Sequence, residues 1–205
     1  MSDPKPPKRP LSSAGPYQTL AAVVGFELGL AVVALLIAAG LGLDLSARMS
    51  WDLATFNWVV LATVPMAAAM LVLSRSRWRW VKALNEPVEK HMLPLFKDLP
   101  PGGVALIALA AGTGEELLFR GVIQQGFSDW GGPGLGLVVA SVAFGLAHAV
   151  NRYYALVTLV IGVYLGLLYQ ASENIVLVLG VHALYDWVVL RFLLLRSTPN
   201  RGAKY

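Results

Sequence analysis

The chain has 205 residues, of which 57% are hydrophobic and only 14% are charged, whereas a soluble domain carries about 25% charged residues. Cysteine is absent, which excludes disulfides, thiolate metal sites and a thiol nucleophile. The net charge is +4, a basic balance that nucleic-acid-binding proteins also show. The length favours a single domain, and the composition predicts that its surface faces lipid.

Six apolar segments follow one another along the chain, and a membrane-spanning helix needs about 20 such residues. Gly180 leaves open a split of the last segment. We therefore predict an all-α fold, a polytopic integral membrane helix bundle with about six transmembrane helices and a buried polar site. The segments are Tyr17–Leu43, Leu53–Leu73, Gly103–Phe127, Gly134–Val150, Tyr153–Ala171 and Asn174–Leu195.

The parts outside these segments differ in composition. Residues 1–16, rich in Pro, Lys and Ser, are predicted to be a mobile tail. Residues 17–196 form one membrane-embedded domain, and residues 197–205 form a C-terminal tail. The segment Ser74–Pro101 mixes basic with aromatic and aliphatic residues. It is predicted to lie on the membrane surface as an amphipathic stretch, with a solvated loop as the alternative, and its prolines are expected to break any long helix.

The basic residues are distributed unevenly between the two faces of the membrane. If the N terminus is cytoplasmic, fourteen of the sixteen Lys and Arg residues lie on the cytoplasmic side. Of the other two, Arg48 lies in an outside loop and Arg120 within a span. This bias follows the positive-inside rule and predicts that both termini are cytoplasmic. It explains the basic balance by membrane orientation, so no nucleic-acid partner is expected.

The third span carries three charged residues, although a charge at the centre of a membrane helix costs about 2.5–3.5 kcal/mol on insertion scales. Glu116 and Arg120 are four residues apart, so they share one helical face and can form a structural ion pair. Glu115 lies about 100° around the helix from Glu116. Its carboxylate therefore needs a partner from another span.

Three ionisable residues on later spans can supply that partner. His182 and Asp186 are four residues apart and project toward one point, and Phe144 and His148 repeat this spacing. One intramembrane histidine alone is often only a hydrogen-bonded packing residue. Two histidines, a glutamate and an aspartate on three helices favour a functional site. Glu27, in the first span, has no obvious partner.

Three motifs occur in order on separate spans: Glu115-Glu116-Leu-Leu-Phe-Arg120, Phe144-Gly-Leu-Ala-His148 and His182-Ala-Leu-Tyr-Asp186. Together they resemble the CPBP family of CAAX prenyl endopeptidases and bacteriocin-processing proteins, also called the Abi family. The family pattern is Glu-Glu-x-x-x-Arg, Phe-x-x-x-His, and His-x-x-x-Asn or Asp. The resemblance covers about residues 102–195, which would be the catalytic part of the domain.

The resemblance implies an intramembrane endopeptidase that cleaves a membrane-associated protein or peptide. Glu115 would be the general base, and His148 would help it to activate a water molecule. Glu116 and Arg120 would hold the third span in register, with Phe144 in a supporting position. Hydrolysis by an activated water also suits a chain without cysteine.

The roles of His182 and Asp186 stay open. The resemblance implies that they stabilise the oxyanion or bind a metal. His182 can donate a hydrogen bond, whereas an ionised Asp186 can only accept one. Asp186 would then either orient His182 or help to hold a divalent metal such as zinc, since the family is often labelled a metalloprotease family. The candidate ligands are Glu115, His148, His182 and Asp186.

The small size of the chain and its lack of cysteine are compatible with a bacterial protein, so the expected location is the bacterial cytoplasmic (inner) membrane. The rival class is a non-catalytic membrane scaffold or a proton-coupled carrier that uses the same Glu and His cluster. A carrier would usually show inverted repeats with corresponding broken helices, and the sequence shows none. A scaffold would tolerate the loss of Glu115, and this separates it from an enzyme.

Overall fold

The computed structural model describes residues 15–197, and this range consists of helices and short connections without a strand. Four helices are each long and apolar enough to cross a membrane. The last of them is unbroken at Gly180, so the final span is not split. The predicted all-α membrane bundle is confirmed. The four are α1 (Pro16–Leu41), α2 (Leu53–Arg75), α8 (Arg152–Ser172) and α9 (Ile175–Ser197).

The predicted tails lie largely outside the described range. Helix α1 begins at Pro16 and α9 ends at Ser197. Residues 1–14 and 198–205 are outside the described residues, so the boundaries given to the two tails stay predictions.

The third and fourth apolar segments are built differently from the four long helices. Helix α5 (Gly103–Glu116) continues without a break into a π-helical stretch, Leu117–Gln124, and then into α6 (Gln125–Gly131). After the turn at Gly132, α7 (Pro133–Ala147) has only 15 residues. That is about 22 Å at 1.5 Å per residue, whereas the hydrocarbon core is about 30 Å thick. A helix of this length that begins at one face of the bilayer ends before it reaches the other.

The surface segment forms an amphipathic helical stretch made of α3 (Arg79–Pro87), a π-helical part, Val88–Met92, and α4 (Leu93–Phe96). The expected break is wrong, because Pro87 is the last residue of α3 and the helical path continues beyond it. Proline cannot donate the usual backbone hydrogen bond to the carbonyl four residues earlier, and that carbonyl, of Ala83, instead accepts from Asn151 Nδ2 at 2.8 Å. The buried face consists of Val81, Leu84, Val88, Leu93 and Phe96.

The connections at each end of the bundle contact one another. At one end, Asn174 Oδ1 accepts a hydrogen bond from the backbone N–H of Ser50 at 3.1 Å. At the other end, Asn151 Nδ2 donates to the carbonyl of Ala83 at 2.8 Å, which joins α3 to the start of α8. These pairs agree with helices that run alternately up and down. They also place the surface segment beside the short loop that follows α7.

Two glycines let α5 lie close to its neighbours. A Cβ atom at Gly112 would be 2.9 Å from a carbonyl oxygen of α9, and one at Gly114 would collide with the carbonyl oxygen of Glu27 on α1. Only glycine therefore fits this packing. Because Glu115 and Glu116 follow directly, the two contacts hold this part of α5 against α1 and α9.

Candidate active site

The structure brings Glu115 and His148 together. Glu115 lies in the last turn of α5 and its side chain is 10% exposed, and His148 Nε2 is 3.4 Å from its Oε2. The partner that Glu115 needs from another span is therefore His148. His148 is the first residue after α7. Because α7 is short, this residue reaches Glu115 in the middle of the third span, although it lies at the end of its own segment.

The hydrogen bonds of His148 define what the pair can do. Its Nδ1 lies 2.9 Å from the carbonyl oxygen of Phe144, and because a carbonyl only accepts, Nδ1 carries a hydrogen. Nε2 then faces a carboxylate, so the contact is favourable when a proton lies between them. At 3.4 Å the contact is longer than a strong hydrogen bond, and Glu115 Oε2 has no hydrogen-bond partner among the described residues. This buried oxygen therefore has hydrogen-bonding capacity that no described residue uses.

A second group of ionisable side chains is centred on His182. Its Nδ1 is 2.7 Å from Glu116 Oε1, and its Nε2 is 3.5 Å from Asp186 Oδ2. Arg120 Nη1 donates to the same oxygen of Glu116 at 2.7 Å. The predicted ion pair of Glu116 and Arg120 is therefore confirmed. The shortest contact of His182 is made by Glu116, which the sequence linked only to Arg120, because no local pattern joins residues 66 positions apart.

Arg120 is fully buried and ties the third span to its neighbours. Besides Glu116, its guanidinium donates to the carbonyl of Gly162 on α8 at 3.0 Å. It also lies 4.7 Å from the ring centroid of Phe144 on α7, a cation–π distance. One turn later, Gln124 makes the corresponding bond to the carbonyl of Gly166 at 2.9 Å. The third span is thus held against α8 by two buried side chains.

Phe144 links the two groups of ionisable residues. Its ring centroid is 4.5 Å from that of His148 and 5.9 Å from that of His182. On its other side, it packs edge-to-face against Phe119 at 5.0 Å. The predicted supporting position of Phe144 is therefore a packing contact with both imidazoles.

The π-helical stretch lies directly after the two glutamates. It begins at Leu117 and contains Arg120. Such widened turns inside α-helices occur frequently at functional sites. The sequence analysis used a uniform helical period and gave no signal for it. The Glu116–Arg120 spacing survives this change, because the two side chains still meet.

The exposure of the side chains shows on which side the site is open. Glu116 is 0% exposed and Arg120 is 1% exposed, whereas His148 is 28% and Asp186 is 30% exposed. The site is therefore closed behind the ion pair and accessible beside His148 and Asp186.

The proposed metal ligands do not form one donor set. Among residues 15–197, no three His, Asp or Glu side chains are placed so that they could hold one ion. Both nitrogens of His182 face carboxylates, and Nδ1 of His148 faces a backbone carbonyl. The predicted ligands Glu115, His148, His182 and Asp186 therefore divide into two groups that do not fit a zinc site, and no chemical step is assigned to a metal.

Comparison with known proteins gives one family. A family model described as type II CAAX prenyl endopeptidase Rce1-like matches residues 98–188, which include all three motifs. No curated protein and no solved structure matches the chain. The resemblance found in the motifs is confirmed for this segment. Residues 98–188 of the chain are therefore similar to the type II CAAX prenyl endopeptidases.

Proposed function

We propose that this protein is an intramembrane endopeptidase that hydrolyses a peptide bond of a membrane-associated protein or peptide with a water molecule activated by Glu115. One observation carries the proposal. Glu115 Oε2 is buried, has no hydrogen-bond partner among the described residues and lies 3.4 Å from His148 Nε2. A positioned carboxylate next to an imidazole is a suitable general base.

In the proposed reaction, Glu115 takes a proton from the water while the water oxygen attacks the carbonyl carbon of the peptide bond. The carbonyl oxygen becomes an oxyanion in a tetrahedral intermediate. When the carbon–nitrogen bond breaks, the proton passes from Glu115 to the leaving nitrogen, so the products are a carboxylic acid and an amine. His148 keeps Glu115 in position through the contact at Nε2.

His182 is the proposed donor to the oxyanion. Carboxylates face both of its ring nitrogens, and only the protonated imidazole donates from both. The contact of Nδ1 with Glu116 is short and fixes the ring, whereas the 3.5 Å contact of Nε2 with Asp186 is long. The Nε2 hydrogen, whose direction is set by the fixed ring, is only weakly engaged by Asp186 and can donate to an oxyanion bound beside it, where a fixed donor is most effective. Asp186 then supports the protonated ring.

The side on which the site opens suggests how a substrate approaches. The exposed residues of the site are next to the end of α7, which the charge bias places in the cytoplasmic half of a bacterial cytoplasmic membrane with both termini inside. We therefore propose that the scissile bond enters from that half. Reporter fusions after Lys82 and Asn151 should read inside and those after Ser50 and Glu173 outside, and the reverse pattern would contradict this orientation.

The test is a cleavage assay with the protein purified in detergent. A peptide library from a membrane fraction, with prenylated and unprenylated peptides as separate arms, is incubated with the protein and analysed by mass spectrometry. Glu115→Gln should lower the rate by about 10²–10⁴-fold, the usual effect of losing a general base. Glu89→Gln, an exposed position on the surface segment, is the matched control and should cleave normally. Normal cleavage by Glu115→Gln would refute the mechanism, and a scaffold would show no cleavage in any arm.

A further inference from the structure

Glu27 is the single charged residue of α1 and has no role in the mechanism described so far. A charge in a membrane-spanning helix is costly and marks a functional position by default. Its Oε2 is buried and has no hydrogen-bond partner among the described residues. It shares this condition with Oε2 of Glu115. Two unpaired carboxyl oxygens are therefore contributed by neighbouring helices.

The packing of α1 on α5 brings Glu27 to the site. The absence of a side chain at Gly114 lets the backbone of Glu27 lie against α5 one residue before Glu115. This close contact places Glu27 beside the part of α5 that carries Glu115, and its buried carboxyl oxygen belongs to the helix that packs there.

The reacting water requires more than Glu115. A water molecule bound in a protein usually makes about three hydrogen bonds, and a water that gives one hydrogen to Glu115 has a second one to place. His148 is not placed to accept it, because Nδ1 donates to the carbonyl of Phe144 and Nε2 faces Glu115. Oε2 of Glu27 is a buried acceptor without a hydrogen-bond partner among the described residues, and it comes from the helix that packs on α5 one residue before Glu115.

We propose that Glu27 is a water-positioning residue of this site, and that its Oε2 accepts the second hydrogen of the water that Glu115 activates. This inference rests on the proposed hydrolysis. The fixed water is then aligned by two acceptors from different helices, so that its oxygen points toward the scissile carbonyl.

A negative charge on Glu27 is not needed for this role. The cations of the site, Arg120 and the two imidazoles, are already engaged by Glu115, Glu116 and Asp186. A neutral group of the same shape with an acceptor oxygen should therefore serve. Glutamine is such a group, whereas leucine has a similar size and no acceptor.

The experiment compares Glu27→Gln and Glu27→Leu with the wild-type protein in one detergent and measures kcat, KM and the melting temperature. Glu27→Leu should lower kcat by about tenfold or more, on the scale of losing one hydrogen bond to a reacting group, with KM unchanged. Its melting temperature should stay the same or rise, because an apolar residue replaces an unpaired polar group in a membrane helix. Glu27→Gln should retain most of kcat, and Glu89→Gln should match the wild type.

Three results would overturn the inference. They are a Glu27→Leu variant with normal kcat, a Glu27→Gln variant that loses as much kcat as Glu27→Leu, and a change confined to KM. Glu115→Gln in the same assay separates this inference from the proposed function. If Glu115→Gln cleaves normally, the hydrolytic mechanism fails. If Glu115→Gln is inactive and Glu27→Leu is fully active, only the role of Glu27 fails.

Discussion

The buried pair of Glu116 and Arg120 should separate the stability of this protein from its activity. Arg120→Met removes the partner at 2.7 Å and the hydrogen bond to the carbonyl of Gly162 at 3.0 Å. Breaking a buried ion pair by removing one partner costs about 3–5 kcal/mol. Because His182 also contacts Oε1 of Glu116 at 2.7 Å, the remaining carboxylate keeps one partner, so we expect the lower end of that range. Glu116→Leu strands both Arg120 and His182 and should cost the upper end.

The double variant, with Leu at position 116 and Met at position 120, should melt above the temperature expected from adding the two single losses. Replacing a whole buried pair by apolar groups of similar size is often neutral or stabilising. Residues in one network show coupling of about 0.5–3 kcal/mol. Its activity should nevertheless stay low, because His182 has lost the acceptor that fixes its ring. Recovery of stability without recovery of activity is the expected signature.

Melting curves and cleavage rates of the four proteins in the same detergent test this reasoning. Additive losses of stability would show that the pair is not coupled and would refute the energetic argument. A double variant that cleaves like the wild type would show that Glu116 does not orient His182. The melting curves therefore test the coupling of the ion pair, and the cleavage rates test the orientation of His182.

Three further predictions follow from the packing, the caps and the donor geometry. Gly112→Ala should lower the free energy of unfolding by about 1–3 kcal/mol, as overpacking does, because its Cβ would be 2.9 Å from a backbone oxygen of α9. The control is Gly126→Ala, whose Cβ meets nothing within 4 Å, and this variant should melt at the wild-type temperature or above it. Hydrogen bonds, first from the backbone N–H of Thr55 and then from the hydroxyl of Ser50, hold the pKa of Asp52 below its usual range. The stability that the Asp52 carboxylate contributes is therefore present above about pH 4 and is lost as the pH falls through its folded pKa. As the pH is lowered through this range, the melting temperature of the wild type should fall more than that of Asp52→Asn, and equal falls would contradict this. Protein dialysed against a chelator should keep its cleavage rate, because no three donors converge among the described residues, and a loss of rate that zinc restores would show that the ligands regroup around an ion.

The sequence predicted the features that depend on local pattern. Hydrophobic length predicted six spans, and four of them are single helices long and apolar enough to cross a membrane, because the bilayer sets the length of an apolar helix. The spacing of four predicted the pair of Glu116 and Arg120, because residues at i and i+4 meet on a helix. The angle between Glu115 and Glu116 also predicted that they have different partners, as the structure shows.

The features that sequence reasoning missed depend on contacts between distant segments. The contact of His182 with Glu116 joins α9 to α5, and no spacing rule connects them. The sequence named His148 as one of three possible partners of Glu115, but it did not predict that α7 ends at Ala147 and so brings this residue to the middle of the third span. Glu27 had no partner in the sequence, because the close approach of α1 to α5 at Gly114 is visible only after folding.

The two adjacent glutamates have different partners because α5 is packed between several neighbouring helices. Glu115 and Glu116 are about 100° apart around α5, so one carboxylate faces His148 and the other faces His182. With both imidazoles protonated, Arg120 and the two histidines balance Glu115, Glu116 and Asp186, so these six groups carry no net charge into the low-dielectric bundle. A balanced site avoids the cost of an isolated buried charge. Glu115 Oε2, whose contact with His148 is long at 3.4 Å, is the proposed point in this arrangement where a proton is taken from water.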